Sequence, residues 1–361
     1  MGIVIAILMF EVMIVIHEWG HFIVARKNGV FVQEFALGMG PAIVSYTSKK
    51  SGTMYSWRLF PIGGYCQMLG EEEESPEEGS FSTKSVWARL AIVAAGPLMN
   101  ILTAFVLSVV VLAMSGYMTN EVKGLDPEGN AITAGMELGD VIVKIDGKNI
   151  HTYQDLTYAM YEVDGSAIEI VVKKEDGSKE TLVLEPKYSE AEQRYLMGIT
   201  IGKDDMGWAD IVKNKGWGAL PGAILGTLGQ GFWELKGNVE LVIRSVVQLV
   251  TGQVGMDNMM GPIGIVSTVG ESYEAAAQVN IKSIVVTMFS WVSLLSVNLG
   301  VMNLFPIPAL DGSRIVFLTL EGIRRKPISH KIESAIYAVG FILLMILMVV
   351  VAYQDIVRLF A

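Results

Sequence analysis

Cysteine is almost absent from this 361-residue chain: the single Cys66 excludes an internal disulfide and a cysteine-built zinc site. Charge is scarce as well, at 18% of residues, while 52% are hydrophobic and the mean hydropathy is +0.45. So apolar a chain is not an ordinary soluble domain; it points to a membrane protein with one soluble portion. The net charge of −10 argues against nucleic acid as a partner. No Lys or Arg precedes Arg26, and no small-residue cleavage site follows the first apolar run, so that run is expected to be retained rather than removed as a signal peptide. Internal repeats are not visible, which weighs against a transporter.

Four apolar stretches have the length a bilayer requires, about 20 residues. They run from Ile3 to Ala25, from Leu90 to Met114, from Ile284 to Phe305 and from Ser334 to Gln354; only the first is interrupted, by Glu11 and a His-Glu motif. The connection after the first carries Arg26, Lys27, Lys49, Lys50, Arg58, Lys84 and Arg89, and the one before the last carries Arg314, Arg324, Arg325, Lys326 and Lys331. Basic connections stay in the cytoplasm, so both termini are expected outside it. The acidic run Glu71 to Glu74 reads as a solvated loop.

The resulting fold class is a polytopic α-helical membrane protein with four transmembrane helices, a membrane-associated β-hairpin and one α+β domain. The expected divisions are transmembrane helix 1 over 1–27, a cytoplasmic or membrane-reentrant hairpin region over 28–86 and transmembrane helix 2 over 87–116. The soluble domain follows over 117–190, then an amphipathic membrane-associated linker over 191–281. Transmembrane helix 3 takes 282–312, a cytoplasmic connection 313–331 and transmembrane helix 4 332–356. The segment Tyr55-Ser-Trp-Arg-Leu-Phe-Pro-Ile-Gly-Gly-Tyr-Cys-Gln-Met is too apolar for a plain loop, and strands at membrane depth are tolerated only when buried in protein or lining a cavity. In the soluble part, Asp140–Asp146, Ile168–Lys174 and Thr181–Glu185 read as strands and Tyr153–Val163 as a helix. Between 219 and 251, Phe232, Leu235, Val239, Val242, Val246 and Leu249 alternate at helical spacing with Glu234, Lys236, Glu240 and Arg244, which suits the membrane surface or the side of a helix bundle.

The chemistry begins at His17-Glu-Trp-Gly-His21. H-E-x-x-H on a helix stacks two imidazoles one turn apart on one face, as a zinc ion needs, and sets the Glu to act on a water. Placing such residues inside an apolar span is expensive and marks function. Catalytic zinc usually takes a third protein ligand. His151 lies in the soluble part and His330 in a basic connection. Asp311 follows the third span at a depth matching His17 and His21; it is either the third ligand or the N-cap of the helix that begins at Gly312. Gly96 and Pro97 either permit close packing of the second span or open a path to the metal.

These motifs occur in order with others: Gly38-x-Gly40-Pro41, Gly63-Gly64, Gly96-Pro97-Leu-Met-Asn100, Ala134-Gly-Met-Glu-Leu-Gly-Asp-Val-Ile-Val-Lys-Ile-Asp-Gly, and Asn303…Pro306-x-Pro308-x-Leu310-Asp311-Gly312. Together they resemble the site-2 protease family of intramembrane zinc metalloproteases, in the bacterial branch of regulators of sigma-E proteases. The resemblance covers nearly the whole chain. It implies Zn2+ held by His17, His21 and Asp311, Glu18 as catalytic base, and Asn298 and Asn303 holding the substrate backbone. The 134–147 stretch resembles a PDZ core, which implies capture of a peptide or chain end; a ligand-free spacer is the alternative. Only one such core is present, where some members have two in tandem.

The resemblance further implies regulated intramembrane proteolysis of single-pass proteins, either anti-sigma-factor-like substrates or signal-peptide remnants. The enzyme is then expected in a bacterial inner membrane, its partners being transmembrane substrates and the lipid bilayer, with no nucleic acid, and its active site toward the cytoplasm.

Overall fold

The computed structural model describes residues 2–71, 75–204, 207–253, 255, 260–326 and 330–360, so most of the 71–74 acidic run lies outside the described residues. In chain order, helix α1 (Gly2–Lys27) leads to strands β1 (Val32–Thr47) and β2 (Met54–Met68), then to helix α2 (Val86–Ser115). Strand β3 (Tyr117–Leu125), the short helix α3 (Asn130–Thr133), strands β4 (Val141–Ile145) and β5 (Lys148–Asn149), helix α4 (Tyr153–Tyr161) and strands β6 (Ile168–Lys173) and β7 (Lys179–Leu184) follow. Next come β8 (Lys187–Ser189), β9 (Arg194–Leu196), β10 (Ile199–Asp204), and helices α5 (Trp208–Lys215), α6 (Leu220–Val250), α7 (Pro262–Ala277), α8 (Ile281–Leu304), α9 (Asp311–Arg324) and α10 (His330–Phe360).

The chain forms two compact units, one of residues 1–107 with 239–361 and one of residues 108–238. Among the described residues, four helices are long and apolar enough to cross a membrane: Gly2–Lys27, Val86–Ser115, Ile281–Leu304 and Glu333–Arg358. This is a polytopic membrane protein with added sheet elements.

In the first unit, helices approach through glycine. A Cβ at Gly20 of α1 would lie 2.4 Å from the Ala95 carbonyl of α2, and one at Gly300 of α8 would lie 2.9 Å from the Pro97 carbonyl. Helix α7, which lies inside the span expected as a linker, packs against α1, α8 and α10. Ala6, Met9, Val269 and Met288 form the core of that packing. Asp355 of α10 is buried and caps α7, its two carboxylate oxygens accepting from the backbone N–H of Gly261 at 3.0 Å and of Gly264 at 2.9 Å. These are donors a helix start would otherwise leave unpaired.

The region expected as a hairpin is a small mixed sheet, in which residues 34–37 run antiparallel to 64–67 and parallel to 54–57, and 44–47 run antiparallel to 54–57. The first half of β1 lies between both halves of β2: Glu34 pairs with Gln67 and with Met54, and Leu37 with Gly64 and with Trp57. The second half of β1 pairs back on β2 from Val44–Trp57 to Thr47–Met54. Four strand segments therefore stand in the order 44–47, 54–57, 34–37, 64–67. The folds fall where Gly38, Gly40 and Gly63 take φ of +81°, +86° and +89°, a region other residues rarely enter, beside Pro41 and Pro61. The outer turns expose Met39, Ile43, Val44, Trp57, Phe60 and Ile62, too much apolar surface for water. Inside the sheet, Glu34 accepts from Ser56 at 2.5 Å, Arg58 at 2.6 Å and Tyr65 at 2.9 Å. Burial pushes the Glu34 carboxyl up, but these donors outweigh it and hold it below the usual range.

The second unit is an antiparallel sheet in the order β10-β3-β4-β6-β7, with β5 added to β4. Strand β6 alternates, burying Ile168, Ile170 and Val172 with Val122, Ile142 and Ile145. Thr152 and Asp155 cap α4 reciprocally. The expected boundary at 190 is too early, because β10 pairs with β3 and completes one edge. The third span also ends sooner than expected, at Leu304, where Pro306 and Pro308 stop α8 before Asp311 begins α9. Helix α9 takes up most of the stretch expected as a cytoplasmic connection, and starts one residue before the helix expected from Gly312.

Replacing Asp355 with Ala should destabilise the protein by about 1–2 kcal/mol, since a helix cap is lost inside the fold. A lowered midpoint of thermal unfolding in detergent checks this, and an unchanged midpoint refutes it.

Candidate metal centre

Helix α1 runs without a proline from Gly2 to Lys27, so His17 and His21, four residues apart, point the same way. Both are buried. Their Nε2 atoms lie 3.2 Å apart, and Asp311 Oδ2 lies 3.0 Å from that of His17 and 3.4 Å from that of His21. Three ligands on a tetrahedral ion with bonds of about 2.0–2.1 Å sit about 3.3 Å from one another. The donor set, two imidazoles and one carboxylate, therefore fits zinc with one position open for chemistry.

Outer contacts set the imidazoles. His21 Nδ1 is 2.9 Å from the Ile92 carbonyl, so this nitrogen carries the proton and Nε2 is left as the ligand atom. His17 Nδ1 lies 3.3 Å from the Asn100 amide nitrogen, while Asn100 Oδ1 is buried without a partner among the described residues. Exchanging the two ends of that amide gives His17 Nδ1–H an acceptor and satisfies the oxygen, leaving His17 Nε2 equally free. Gly96 supplies the room: a Cβ there would fall 2.3 Å from His21 Nε2 and 2.9 Å from His17 Cε1. Its role is thus close packing, the first of the two readings open in the sequence, here against the two imidazoles.

Asp311 does not act as a cap: Leu310 occupies the N-cap position and makes no side-chain cap bond. The turn before it is forced. Ala309 has φ of +75°, a strained value for a residue with a Cβ, and a Cβ at Gly312 would collide with the Phe305 carbonyl at 2.0 Å. The turn thus aims Asp311 back at α1.

Glu18 lines a cavity of about 1440 Å³ together with His17, His21, Asp311 and Asn303. The sheet forms one wall through Tyr65, Cys66, Gln67 and Met68, and Gly64 approaches Glu18, a Cβ there coming within 3.9 Å of its Cγ. Two turns earlier on α1, Glu11 faces the backbone amides of Gly38 and Gly63. Arg314 pairs with Glu71, and Arg89 with Glu321 at 2.5 Å, all four at the cavity wall. Asn298 is not brought to the cavity lining; it donates to the Leu294 carbonyl of its own helix at 3.2 Å. His151 stacks on Trp233 at 3.5 Å in the other unit, and the His330 side chain lies outside the described residues. Asn100 and Gly96 were visible only as part of a motif; neither residue type by itself signals a supporting role.

A sequence model of peptidase family M50 matches residues 5–347. The chain is similar to a candidate zinc metalloprotease of Clostridium acetobutylicum, 37% identical over 99% of this chain and 97% of that protein. It is also similar to zinc metalloprotease RasP of Oceanobacillus iheyensis, 30% identical over 98% of each chain. Regulator of sigma-W protease RasP of Bacillus subtilis is 28% identical, again over 98% of each.

Asn100→Ala should weaken zinc about ten- to hundredfold, the usual loss when a ligand's outer partner is removed. Gly96→Ala, which places a methyl group on the imidazoles, should prevent retention altogether. Chelator competition on purified protein measures both; unchanged affinity in the two variants would exclude this account of the site.

Proposed function

This chain belongs to peptidase family M50, the site-2 proteases, and is a zinc metalloprotease; on that premise we propose that it hydrolyses peptide bonds of transmembrane segments, with His17, His21 and Asp311 as zinc ligands and Glu18 as base. The observation that carries this is the meeting of two imidazoles, one carboxylate and a second, uncommitted carboxylate in one cavity. Zinc, when bound there, supplies a Lewis acid that polarises the scissile carbonyl and acidifies water. Glu18 takes the proton from that water and returns it to the leaving nitrogen. Asn303, in the cavity wall, offers an amide to the substrate backbone; Asn298 would need to leave its bond to Leu294 to do the same.

A transmembrane helix hides its peptide bonds in its own hydrogen bonds, so it must unwind to be cut. The 64–67 segment of the sheet pairs on one side only among the described residues and lines the cavity, which supports pairing with an unwound strand of substrate. Substrates are single-pass membrane proteins, of the anti-sigma-factor-like or signal-peptide-remnant kind. That the Bacillus subtilis relative is named a regulator of sigma-W protease supports the first. The unit of β3 to β10 acts as a PDZ domain that takes a peptide or chain end. The basic connections support a bacterial inner-membrane protein with both termini outside the cytoplasm and the centre toward it.

Glu18→Gln keeps the size of the side chain and removes the base. The variant should bind zinc as the wild type does and lose at least a hundredfold in cleavage of a reconstituted transmembrane substrate. Zinc content together with gel-based cleavage tests this, and wild-type cleavage by the zinc-loaded variant would refute it.

A further inference from the structure

One donor in the cavity has no role in the chemistry above. Tyr337 of α10 lines the same cavity as His17, Glu18, His21 and Asp311. Its ring stands edge-on to Phe317 of α9, with centroids 6.0 Å apart and planes at 78°, so packing holds it in place. The hydroxyl oxygen is buried and has no hydrogen-bond partner among the described residues. Ser313 stands beside it but spends its own hydroxyl proton on the Leu310 carbonyl at 2.8 Å, and Arg314, Glu333 and Asp311 lie within electrostatic reach.

A buried hydroxyl left unpaired destabilises a fold, whereas phenylalanine would fill the same space without that cost. An acceptor that arrives only during function accounts for the difference. The cavity's own acceptors are committed in two places, since Glu71 pairs with Arg314 and Glu321 with Arg89. An unwound peptide brings backbone carbonyls that have lost their helical partners. The strongest acceptor among these is the scissile carbonyl oxygen as it gains negative charge, and a donor already fixed in place stabilises that charge without reorganising. We propose that Tyr337 is a catalytic residue whose phenol donates to that oxygen during hydrolysis. The assignment rests on the hydrolytic reading of the His17, Glu18, His21 and Asp311 centre.

The test compares full-length wild type, Tyr337→Phe and Glu18→Gln in detergent, with a transmembrane peptide as substrate. Tyr337→Phe should lower kcat about ten- to hundredfold and leave KM within about twofold, because the bond forms only in the transition state. Zinc content should equal that of the wild type, and the unfolding midpoint should be equal or higher. A merely structural role would lower the midpoint or the zinc content instead, and either loss accompanying the lost activity overturns the inference. It is overturned equally if Tyr337→Phe keeps wild-type kcat while Glu18→Gln is inactive. Full activity in Glu18→Gln is a distinct outcome, which removes the hydrolytic reading and this inference together.

Discussion

Everything in the membrane unit answers to one constraint: two imidazoles and a carboxylate must meet within about 3.3 Å of one another among apolar helices. No other part of the chain tolerates so little error. The two imidazoles come from one helix and cost nothing in chain closure, since helical geometry stacks residues 17 and 21. The carboxylate comes from a turn nearly three hundred residues later and must be aimed. Room for the rings is made by removing a side chain, at Gly96, and the helix carrying that glycine is brought close by removing another, at Gly20. Substitution at either position would act through the metal site even though neither residue has a functional group.

Charge in such a place must be matched, because an unpaired ion in an apolar setting is costly. The cavity therefore carries its polar groups in sets. Arg314 with Glu71 and Arg89 with Glu321 tie α9 to the segment after the sheet and to the start of α2. Glu34, Ser56, Arg58 and Tyr65 form a closed cluster within the sheet, and Arg58 also donates to the Gly40 carbonyl at 2.6 Å. That last bond reaches one of the turns, so the buried cluster fixes where the apolar turn residues Met39 and Phe60 project. Glu18 stands apart from these sets: it makes no ion pair among the described residues, which supports its proposed role as a base.

How much of this could be read in advance follows from the range of the interactions. His17, Glu18 and His21 are a local pattern and were legible directly. Asp311 was legible by depth, because the ends of two spans are fixed by the bilayer, but the choice between ligand and cap needed the turn at Ala309 and Leu310. The sheet was legible as strands and not as four paired segments, because the register depends on where Gly38 and Gly63 reverse the chain. Helix α7 was missed as a packed element: its glycines and Glu271 and Glu274 lower its hydropathy below that of a span, and only its contacts with α1, α8 and α10 show that it is part of the bundle. Glu11 and Asn100 stood out in the sequence without their partners, and Tyr337 did not stand out, since each acts on neighbours far away in sequence.

The sheet and the cavity are best understood together. Cutting a helix inside a membrane poses an energetic problem before a chemical one, because each peptide group released from the helix needs a new partner where water is scarce. A polar cavity alone would supply partners without order, and the peptide could settle in many ways. An edge strand alone would order the peptide with nothing to cut it. Here residues 64–67 offer a row of backbone groups along one wall, and Gly64 brings that row against Glu18. A side chain at residue 64 would press on the Ala36 carbonyl at 2.9 Å and push the two paired segments apart, while meeting Glu18 in ordinary contact. The same glycine thus sets the spacing inside the sheet and its approach to Glu18, so under the proposed function one position would tie the pairing of an unwound substrate to its placement beside the base.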